Sequence, residues 1–262
     1  GERTNVTYLH RGLKPKSLHL YNPQGYYILN LDSLVTNPDY KAQKQMTFSS
    51  GIPHINKSMQ VTKERYITSA YTNKGRFMLL NKQGKIHSYF GAYPEDPHEN
   101  AEAKLKSFAY EFYFIRRPAH KEFASATIFG GIVDFFNGAS GQIKRSKTLH
   151  FFNPKYKISK QGKMKAAPLK KDCKYGFLNT AATKNYLYAV YSDKTLGDVL
   201  RAKQENPMGK YILVFNWEGE AVKALQLKQP AEKIAVTSNN KTLYTIAPRP
   251  EYEVIKYDLN LP

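Results

Sequence analysis

The sequence predicts an all-β fold of the β-propeller class. Tyr and Phe, which favour strands, number 20 and 14 in the 262 residues. Four times along the chain, a β-rich segment is followed by a second one that leads into a hairpin. Units of roughly 40–50 residues with about four strands each are typical of propeller blades. The first segments are 65–71, 122–129, 186–191 and 242–247, and their followers begin near Phe77, Ile132, Ile212 and Val254.

The clearest unit is a predicted β-hairpin over residues 209–227. An apolar strand ends at Trp217, a turn follows at Glu218-Gly219, and an alternating return strand completes the hairpin. Segment 76–85 (RFMLLNKQGK) repeats the pattern of segment 211–220 (YILVFNWEGE): an apolar run, Asn, two residues, Gly and a return strand. This repeat favours a propeller over the alternative, a β-sandwich with chance hairpin similarity. We predict that Trp217 packs at a blade edge and does not bind a ligand.

Strands and turns alternate along the rest of the chain. Residues 17–31 predict two strands around a turn at Pro23 and Gly25, and segment 32–60 is predicted to be irregular. Segment 94–107 predicts a short helix, with the acidic cluster at 95, 96 and 99 at its start. Strict alternation of aromatic residues predicts a strand over 108–114. Further strands are expected at 85–90, 143–151, 177–181, 234–237 and 253–259, with a loop and one helical turn over 193–208.

The composition restricts the classes of function. One cysteine, Cys173, excludes an internal disulfide and a multi-cysteine metal site. We interpret it as a structural thiol in a lysine-rich loop. No apolar run is long enough to span a bilayer. The chain starts at Gly1 without a signal-like segment, so we expect that any targeting peptide was removed.

Sequence patterns typical of catalysis are not found. The chain has no glycine-rich dinucleotide motif, no P-loop and no His-Glu-x-x-His. Its seven histidines are scattered and none pairs at a metal-ligand spacing. We therefore predict no catalytic residue, no metal ligand and no cofactor, while the question whether the protein is an enzyme stays open.

The net charge of +19 predicts attraction to polyanions at long range. The best candidates for such contacts follow an aromatic strand (116–117) or lie in the lysine-rich segment 153–174, with aid from Tyr156 or Tyr175. The alternative is a solvated lysine-rich face, which the spread of lysines along the chain favours. The candidate residues are Arg116, Arg117, Lys155, Lys157, Lys160, Lys163, Lys165, Lys170 and Lys171.

Several segments resemble a bacterial family. Residues 185–192 (NYLYAVYS), 211–220, 234–247 and 254–259, with 75–84 and Tyr93-Pro94, are similar to the TolB-like six-bladed propellers. That family contains exported, mostly uncharacterised proteins of Gram-negative bacteria, many of which look like lipoproteins. The likeness covers most of the chain but rests on strand and turn patterns, and it identifies no functional residue. It implies a single propeller domain over 1–262, located in the periplasm or at the outer membrane.

The number of blades is left open by the sequence. The resemblance implies six, whereas about five are visible, the last ending soon after 257–259. Either the ring has five full blades or an N-terminal piece is missing. Because a closing strand removes the exposed edges of a ring, we predict that residues 6–9 pair with the last blade.

Three hypotheses for function follow. The first is a non-enzymatic binding or scaffold module of the cell envelope, with a protein or glycan as partner. The second is a hydrolase or lyase acting on an envelope sugar or lactone, with residues converging from several blades. The third is polyanion binding through the lysine-rich surface.

Overall fold

The structure is an all-β propeller with five blades. The computed structural model describes residues 8–12, 14, 16–22, 25–49, 51–52, 57–98, 101–138, 142–161, 164–204, 206–249 and 251–261. The chain divides into two compact units, one of residues 1–94 and 102–107, the other of residues 95–101 and 108–262.

The first unit holds two four-stranded antiparallel blades. The first blade consists of β1 (Tyr8–Arg11), β2 (Ser17–Asn22), β3 (Gly25–Asn30) and β4 (Gln43–Met46), with helix α1 (Leu31–Thr36) between β3 and β4. The second consists of β5 (Ser58–Thr62), β6 (Arg65–Thr72), β7 (Gly75–Asn81) and β8 (Ile86–Phe90). Their shared core is aromatic, since the rings of Tyr26 and Tyr66 meet edge to face at 4.9 Å.

The second unit holds three blades. The third consists of β9 (Phe112–Arg116), β10 (Glu122–Thr127), β11 (Gly131–Asn137) and β12 (Lys144–Phe152). The fourth consists of β15 (Phe177–Ala182), β16 (Tyr186–Tyr191), β17 (Gly209–Asn216) and β18 (Ala221–Ala231). The fifth has three strands, β19 (Lys233–Val236), β20 (Thr242–Arg249) and β21 (Glu251–Asp258).

Three further elements lie in the connections between the blade strands. Helix α2 (Ala103–Ala109) precedes β9, and the hairpin of β13 (Ser159–Gln161) and β14 (Met164–Ala166) lies between the third and fourth blades in sequence. Helix α3 (Leu196–Arg201) follows β16. It begins with a capping box, in which Thr195 and Asp198 each satisfy a backbone N–H of the other.

Burial changes systematically from strand to strand within a blade. In the second and third blades, the second and third strands (β6, β7, β10 and β11) are almost wholly buried. The fourth strands β8, β12 and β18 are largely exposed. The segments that reveal the repeat in the sequence therefore correspond to the second and third strands of the blades.

The alignment of repeats predicted from the sequence is confirmed. The four first segments are β6, β10, β16 and β20, the second strand of each of the last four blades. Their followers are the third strands, β7, β11, β17 and β21. The predicted packing of Trp217 is confirmed too. Its indole is buried, stacks edge to face on Phe135 at 6.3 Å and donates from Nε1 to the Thr183 carbonyl at 3.2 Å.

The repeated Asn-x-x-Gly pattern is a turn between a third and a fourth strand. Asn81 Oδ1 accepts from the N–H of Lys85 at 2.9 Å, and Asn216 Oδ1 accepts from the N–H of Glu220 at 2.7 Å. The glycine three positions later adopts a left-handed backbone that other residues avoid. These glycines are Gly84, with φ of +72°, and Gly219, with φ of +79°.

Three predictions of local structure were wrong. Helix α2 is only the end of the predicted 94–107 helix and runs on to Ala109, so the aromatic alternation from Phe108 predicts a strand too early. Segment 32–60 is not irregular, since it contains most of α1, all of β4 and the start of β5. The errors at α2 and β9 arise where local pattern competes with tertiary packing, which buries Tyr110 completely just after α2.

The predicted role of residues 6–9 in the last blade was also wrong. Tyr8 and Leu9 belong to β1, which pairs with β2 and completes the first blade. Val6 and Thr7 lie outside the described residues. A strand that is separated from its neighbour by only five residues pairs locally, because closing a short loop costs little conformational entropy.

Candidate polyanion-binding surface

The described residues of the lysine-rich segment, 155–161 and 164–174, form a β-hairpin and its flank, which we call the lysine hairpin. An isolated bridge between Tyr156 and Leu169 extends the pairing of β13 with β14 toward the open end of the hairpin, which we call its base. Backbone hydrogen bonds from Lys157 to Pro168 (3.1 Å) and from Lys170 to Lys155 (2.9 Å) continue the ladder. The segment, which the sequence predicts as a long strand connection or exposed loop, therefore contains a short hairpin of β13 and β14.

The base of the lysine hairpin is anchored by a buried carboxylate. Asp96, 6% exposed, accepts at Oδ2 from the hydroxyls of Tyr110 (2.7 Å) and Tyr156 (2.9 Å). Its Oδ1 accepts from the backbone N–H of His98 at 2.8 Å, and the His98 ring contacts the Tyr156 carbonyl at 3.0 Å. The prediction that this acidic cluster starts a helix was wrong for Asp96, because its carboxylate is used to hold Tyr156 in place.

Cys173 lies at the base of the lysine hairpin, across from Lys155. Its side chain is buried, its Sγ accepts from the Lys155 N–H at 3.3 Å, and its thiol donates to the Lys174 carbonyl at 3.7 Å. Burial raises the pKa of the Cys173 thiol, an effect that the hydrogen bond from Lys155 opposes. A thiol with a raised pKa is a poor nucleophile, so the structural interpretation of Cys173 fits its surroundings.

The lysines of this surface are exposed on both faces of the hairpin. Seven of the eight lysines in 155–174 are described, and all seven are exposed; Lys163 lies outside the described residues. Side chains alternate between faces along a strand and opposed residues share a face. One face therefore carries Lys155, Lys157 and Lys170, and the other carries Lys160 and Lys165.

Positive charge is concentrated here far more than the even spread inferred from the sequence suggests. Residues 144–174 contain eleven Lys or Arg against one acidic residue, a net charge of +10 out of the +19 of the whole chain. Strand β12 contributes Lys144, Arg145 and Lys147 to this total, all of them exposed. A count of charge in successive windows of the sequence would have revealed this concentration.

The arrangement of charges is unfavourable for the isolated protein. Lys160 and Lys165 are directly opposed across β13 and β14, and like charges in that position destabilise a sheet. The one acidic residue, Asp172, forms an exposed ion pair with Lys155 at 2.8 Å. This pair raises the pKa of Lys155 and lowers the pKa of Asp172, chiefly through the hydrogen bond between them. An anion bound to the hairpin would relieve the remaining repulsion.

Two predicted arginines have different surroundings from the lysines. Arg117 donates from Nε to the Lys184 carbonyl at 2.8 Å, and its guanidinium lies 5.9 Å from the ring centre of Trp217. It also pairs with Glu122 at 3.5 Å. Arg116 ends β9, half-buried and opposite Phe123. Arg117 thus links the third blade to the fourth, and we leave both arginines out of the candidate surface.

Two aromatic residues predicted to assist binding are buried. Tyr156 is 2% exposed and Tyr175 is 7% exposed. Neither ring can stack on a base or a sugar. The exposed apolar side chains of the region are instead Phe151 at the end of β12 and Ile158 beside Lys157, which are 58% and 40% exposed. The sequence-based search missed both because it considered only charged and aromatic stacking residues of the loop.

Comparison with protein-family models decides the classification. The model of the TolB-like 6-blade propeller-like family matches residues 13–239. The chain belongs to this family. The resemblance predicted from the strand and turn patterns is therefore confirmed, and five blades are seen in the part of this family member that the structure describes. A search of curated proteins finds no match.

Solved structures similar to this family member share its fold only. The Raptor protein of Chaetomium thermophilum aligns with a TM-score of 0.50 at 8% identity, over 96% of this chain and 18% of that one. The Pan2 WD40 domain of Neurospora crassa aligns with a TM-score of 0.49 at 8% identity, over 92% of this chain and 58% of that one. This chain spans well under two thirds of the length of either protein.

Two searches of the described residues gave no site. No group of three or more His, Cys, Asp or Glu in the described ranges is arranged to hold a metal ion. Among the helices described, none combines the length and apolarity needed to cross a membrane.

Proposed function

We propose that this TolB-like propeller is a non-enzymatic binding module that holds an anionic partner on the lysine hairpin. The observation that carries the proposal is the group of seven exposed lysines in a segment with a single acidic residue. The propeller fold supports a binding or scaffold role in general, since rigid blades present connecting segments to partners. The anchoring of Tyr156 by Asp96 holds the base of the hairpin in a defined place.

The charge distribution sets the mechanism of binding. Lysines attract an anion over a distance of about 10 Å at moderate salt. On contact they displace the counterions condensed on a polyanion, which makes affinity fall steeply with salt. Relief of the repulsion between Lys160 and Lys165 adds to the favourable free energy of binding. The partner would be an acidic glycan, an acidic protein or another anionic polymer or surface.

We also propose that the protein works at the cell envelope, in the periplasm or attached to the outer membrane. The support is the likeness to exported family members. Fractionation of cells that express the natural gene, with antibody detection, tests it. Recovery in the membrane or periplasmic fraction is the expected result, and recovery with the cytoplasmic markers would contradict it.

Salt-dependent retention on heparin tests the binding proposal. In the test variant, Lys157, Lys160, Lys165 and Lys170 are changed to Ala. A matched control changes four exposed lysines elsewhere, Lys63, Lys85, Lys210 and Lys228, and so has the same net charge.

We expect the hairpin variant to elute at clearly lower salt than both the wild type and the control. By analogy with duplex DNA, four lost contacts lower the slope of log K against log salt by about 3.6. If both variants elute alike, net charge alone explains retention and the hairpin is not the site. If the wild type is not retained at moderate salt, the proposal fails entirely.

A further inference from the structure

We propose that the anionic partner of the lysine hairpin is a phospholipid surface, on which Ile158 inserts among the headgroups. This inference rests on the binding role proposed above and names the chemistry of its partner. Three features of the described residues favour a lipid surface over a nucleic acid or an acidic glycan.

The first feature is the kind of charge. All seven described basic residues of the lysine hairpin are lysines, which act as mobile point charges and lack the planar fork with which Arg recognises a fixed phosphate. Nearby Arg145 is engaged with Asp134, whose Oδ1 lies 3.5 Å from its Nη1. Lysines on flexible stems suit a fluid layer of headgroups, where each lysine near the surface strengthens binding on the order of fivefold.

The second feature is the burial of the aromatic rings. Single-stranded nucleic acid is held by bases that stack on exposed aromatic side chains. Tyr156 and Tyr175, the tyrosines of the segment, are both buried, and Phe152 lies beneath the Lys174 ammonium at 6.0 Å. Base stacking within the lysine hairpin is therefore not available, since the exposed ring of Phe151 belongs to β12 and lies outside the hairpin.

The third feature is an exposed apolar side chain between the lysines. Ile158 follows Lys157 and lies on the same face as Lys160 and Lys165, and it is 40% exposed. An apolar side chain surrounded by lysines is the pattern of segments that lie in the interface of an anionic bilayer. It gains nothing from a polar glycan chain.

Sedimentation with lipid vesicles tests the inference on the full chain. Vesicles of phosphatidylcholine alone are compared with vesicles of equal parts phosphatidylglycerol and phosphatidylcholine, and heparin retention is measured in parallel. The variants are the fourfold lysine variant, its charge-matched control, Ile158→Ala and Val35→Ala. Val35 is exposed in α1 of the other unit and serves as the apolar control.

We expect binding to the anionic vesicles and not to the neutral ones. The fourfold lysine variant should lose affinity by a factor on the order of 100 or more, at about fivefold for each lysine. Ile158→Ala should weaken vesicle binding about tenfold through lost apolar insertion, while its heparin retention stays unchanged. Val35→Ala should change neither. Thermal melting of each variant checks that it is folded.

The outcomes separate this inference from the proposed function. Retention on heparin or duplex DNA without binding to anionic vesicles overturns the lipid inference and leaves a polymeric anion as the partner. Equal loss of heparin and vesicle binding in Ile158→Ala also overturns it, because insertion is specific to lipid. Failure to bind heparin, DNA and anionic vesicles alike overturns both proposals.

Discussion

Asp96 is the residue on which the geometry of the lysine hairpin depends most. One buried carboxylate accepts hydrogen bonds from Tyr110, Tyr156 and the His98 N–H. Hydrogen bonds to a charged acceptor are stronger than those between neutral groups. A buried phenol that loses its acceptor carries a desolvation cost. The carboxylate therefore stabilises the second unit and positions Tyr156 at the same time.

Replacement of this carboxylate should be costly. We expect Asp96→Ala to lower the free energy of unfolding by about 3 kcal/mol, because the buried Tyr110 and Tyr156 hydroxyls lose a charged acceptor and Tyr110 keeps only its longer bond to Asn153 at 3.3 Å among the hydrogen bonds described. Urea unfolding followed by the fluorescence of Trp217, which lies in the same unit, measures it. The control is Asp172→Asn, which removes the exposed carboxylate of a surface ion pair and should change stability by less than about 0.5 kcal/mol. Similar losses in the two variants would contradict the anchoring role.

The thiol of Cys173 should be protected in the folded protein. Its burial both blocks access and raises its pKa. At mildly alkaline pH we expect a disulfide reagent such as DTNB to react about 100-fold more slowly with the folded than with the urea-unfolded chain. Rapid reaction of the folded protein would show that the base of the lysine hairpin is open.

At the scale of elements, the repeated hairpin turn depends on its glycine. Both Gly84 and Gly219 have a positive φ, yet their surroundings differ. A Cβ at Gly84 would lie 2.1 Å from the Thr47 carbonyl oxygen, whereas at Gly219 its nearest neighbour would be Cγ of Lys147 at 2.7 Å. The Lys147 side chain can move away from an added Cβ, whereas the backbone carbonyl of Thr47 cannot move without disturbing the fold.

The two alanine variants should therefore differ in stability. A left-handed backbone costs a residue with Cβ about 1–2 kcal/mol. We expect Gly219→Ala to lose about that amount and Gly84→Ala to lose about 3 kcal/mol, since its clash adds to the backbone cost. Chemical unfolding followed by circular dichroism compares them. Gly51→Ala is a suitable control, because φ is also positive there but no atom of the described residues lies within 4 Å of the added Cβ.

At the scale of the whole molecule, buried tyrosines should set the alkaline limit of stability. Burial raises the pKa of Tyr21 and of Tyr113 to about 12 from the usual 10.0, and raises the pKa of Tyr188 as well. A group with a raised pKa in the folded state contributes its full stability below pH 10.0. That contribution is lost as pH rises toward 12, because the unfolded chain releases its protons first.

We therefore expect the free energy of unfolding to fall between pH 10 and pH 12, the window set by these pKa values. Urea titrations across this range measure the fall, and absorbance at alkaline pH follows tyrosine ionisation. In Tyr21→Phe the free energy of unfolding should fall less over this pH range than in the wild type, because phenylalanine has no hydroxyl to ionise. An identical pH dependence in both proteins would contradict a contribution from Tyr21.

Much of the fold could be predicted because its inner strands are continuous apolar runs. Strands such as β10, β11 and β16 are buried along almost their whole length, so their sequences show the repeat directly. The Asn-x-x-Gly turns were visible for a related reason, since left-handed backbone restricts the residue type. The site could be predicted only in part. The sequence showed that the segment is rich in lysine. It did not show which lysines are exposed, which face of the hairpin they lie on or which residues they contact.

By itself, the sequence determined the propeller class, the family, the order of equivalent strands and the lysine-rich segment, because apolar period and turn chemistry are local properties. Tertiary structure alone decided which charges belong together. In the tertiary structure Arg117 contacts the ring of Trp217 and pairs with Glu122. Asp96 accepts a hydrogen bond from Tyr156, which is 60 residues away in the sequence. The tertiary structure also set Lys160 opposite Lys165. These contacts join segments that are distant in the sequence. They depend on how the whole chain folds, so residue type and local spacing do not predict them.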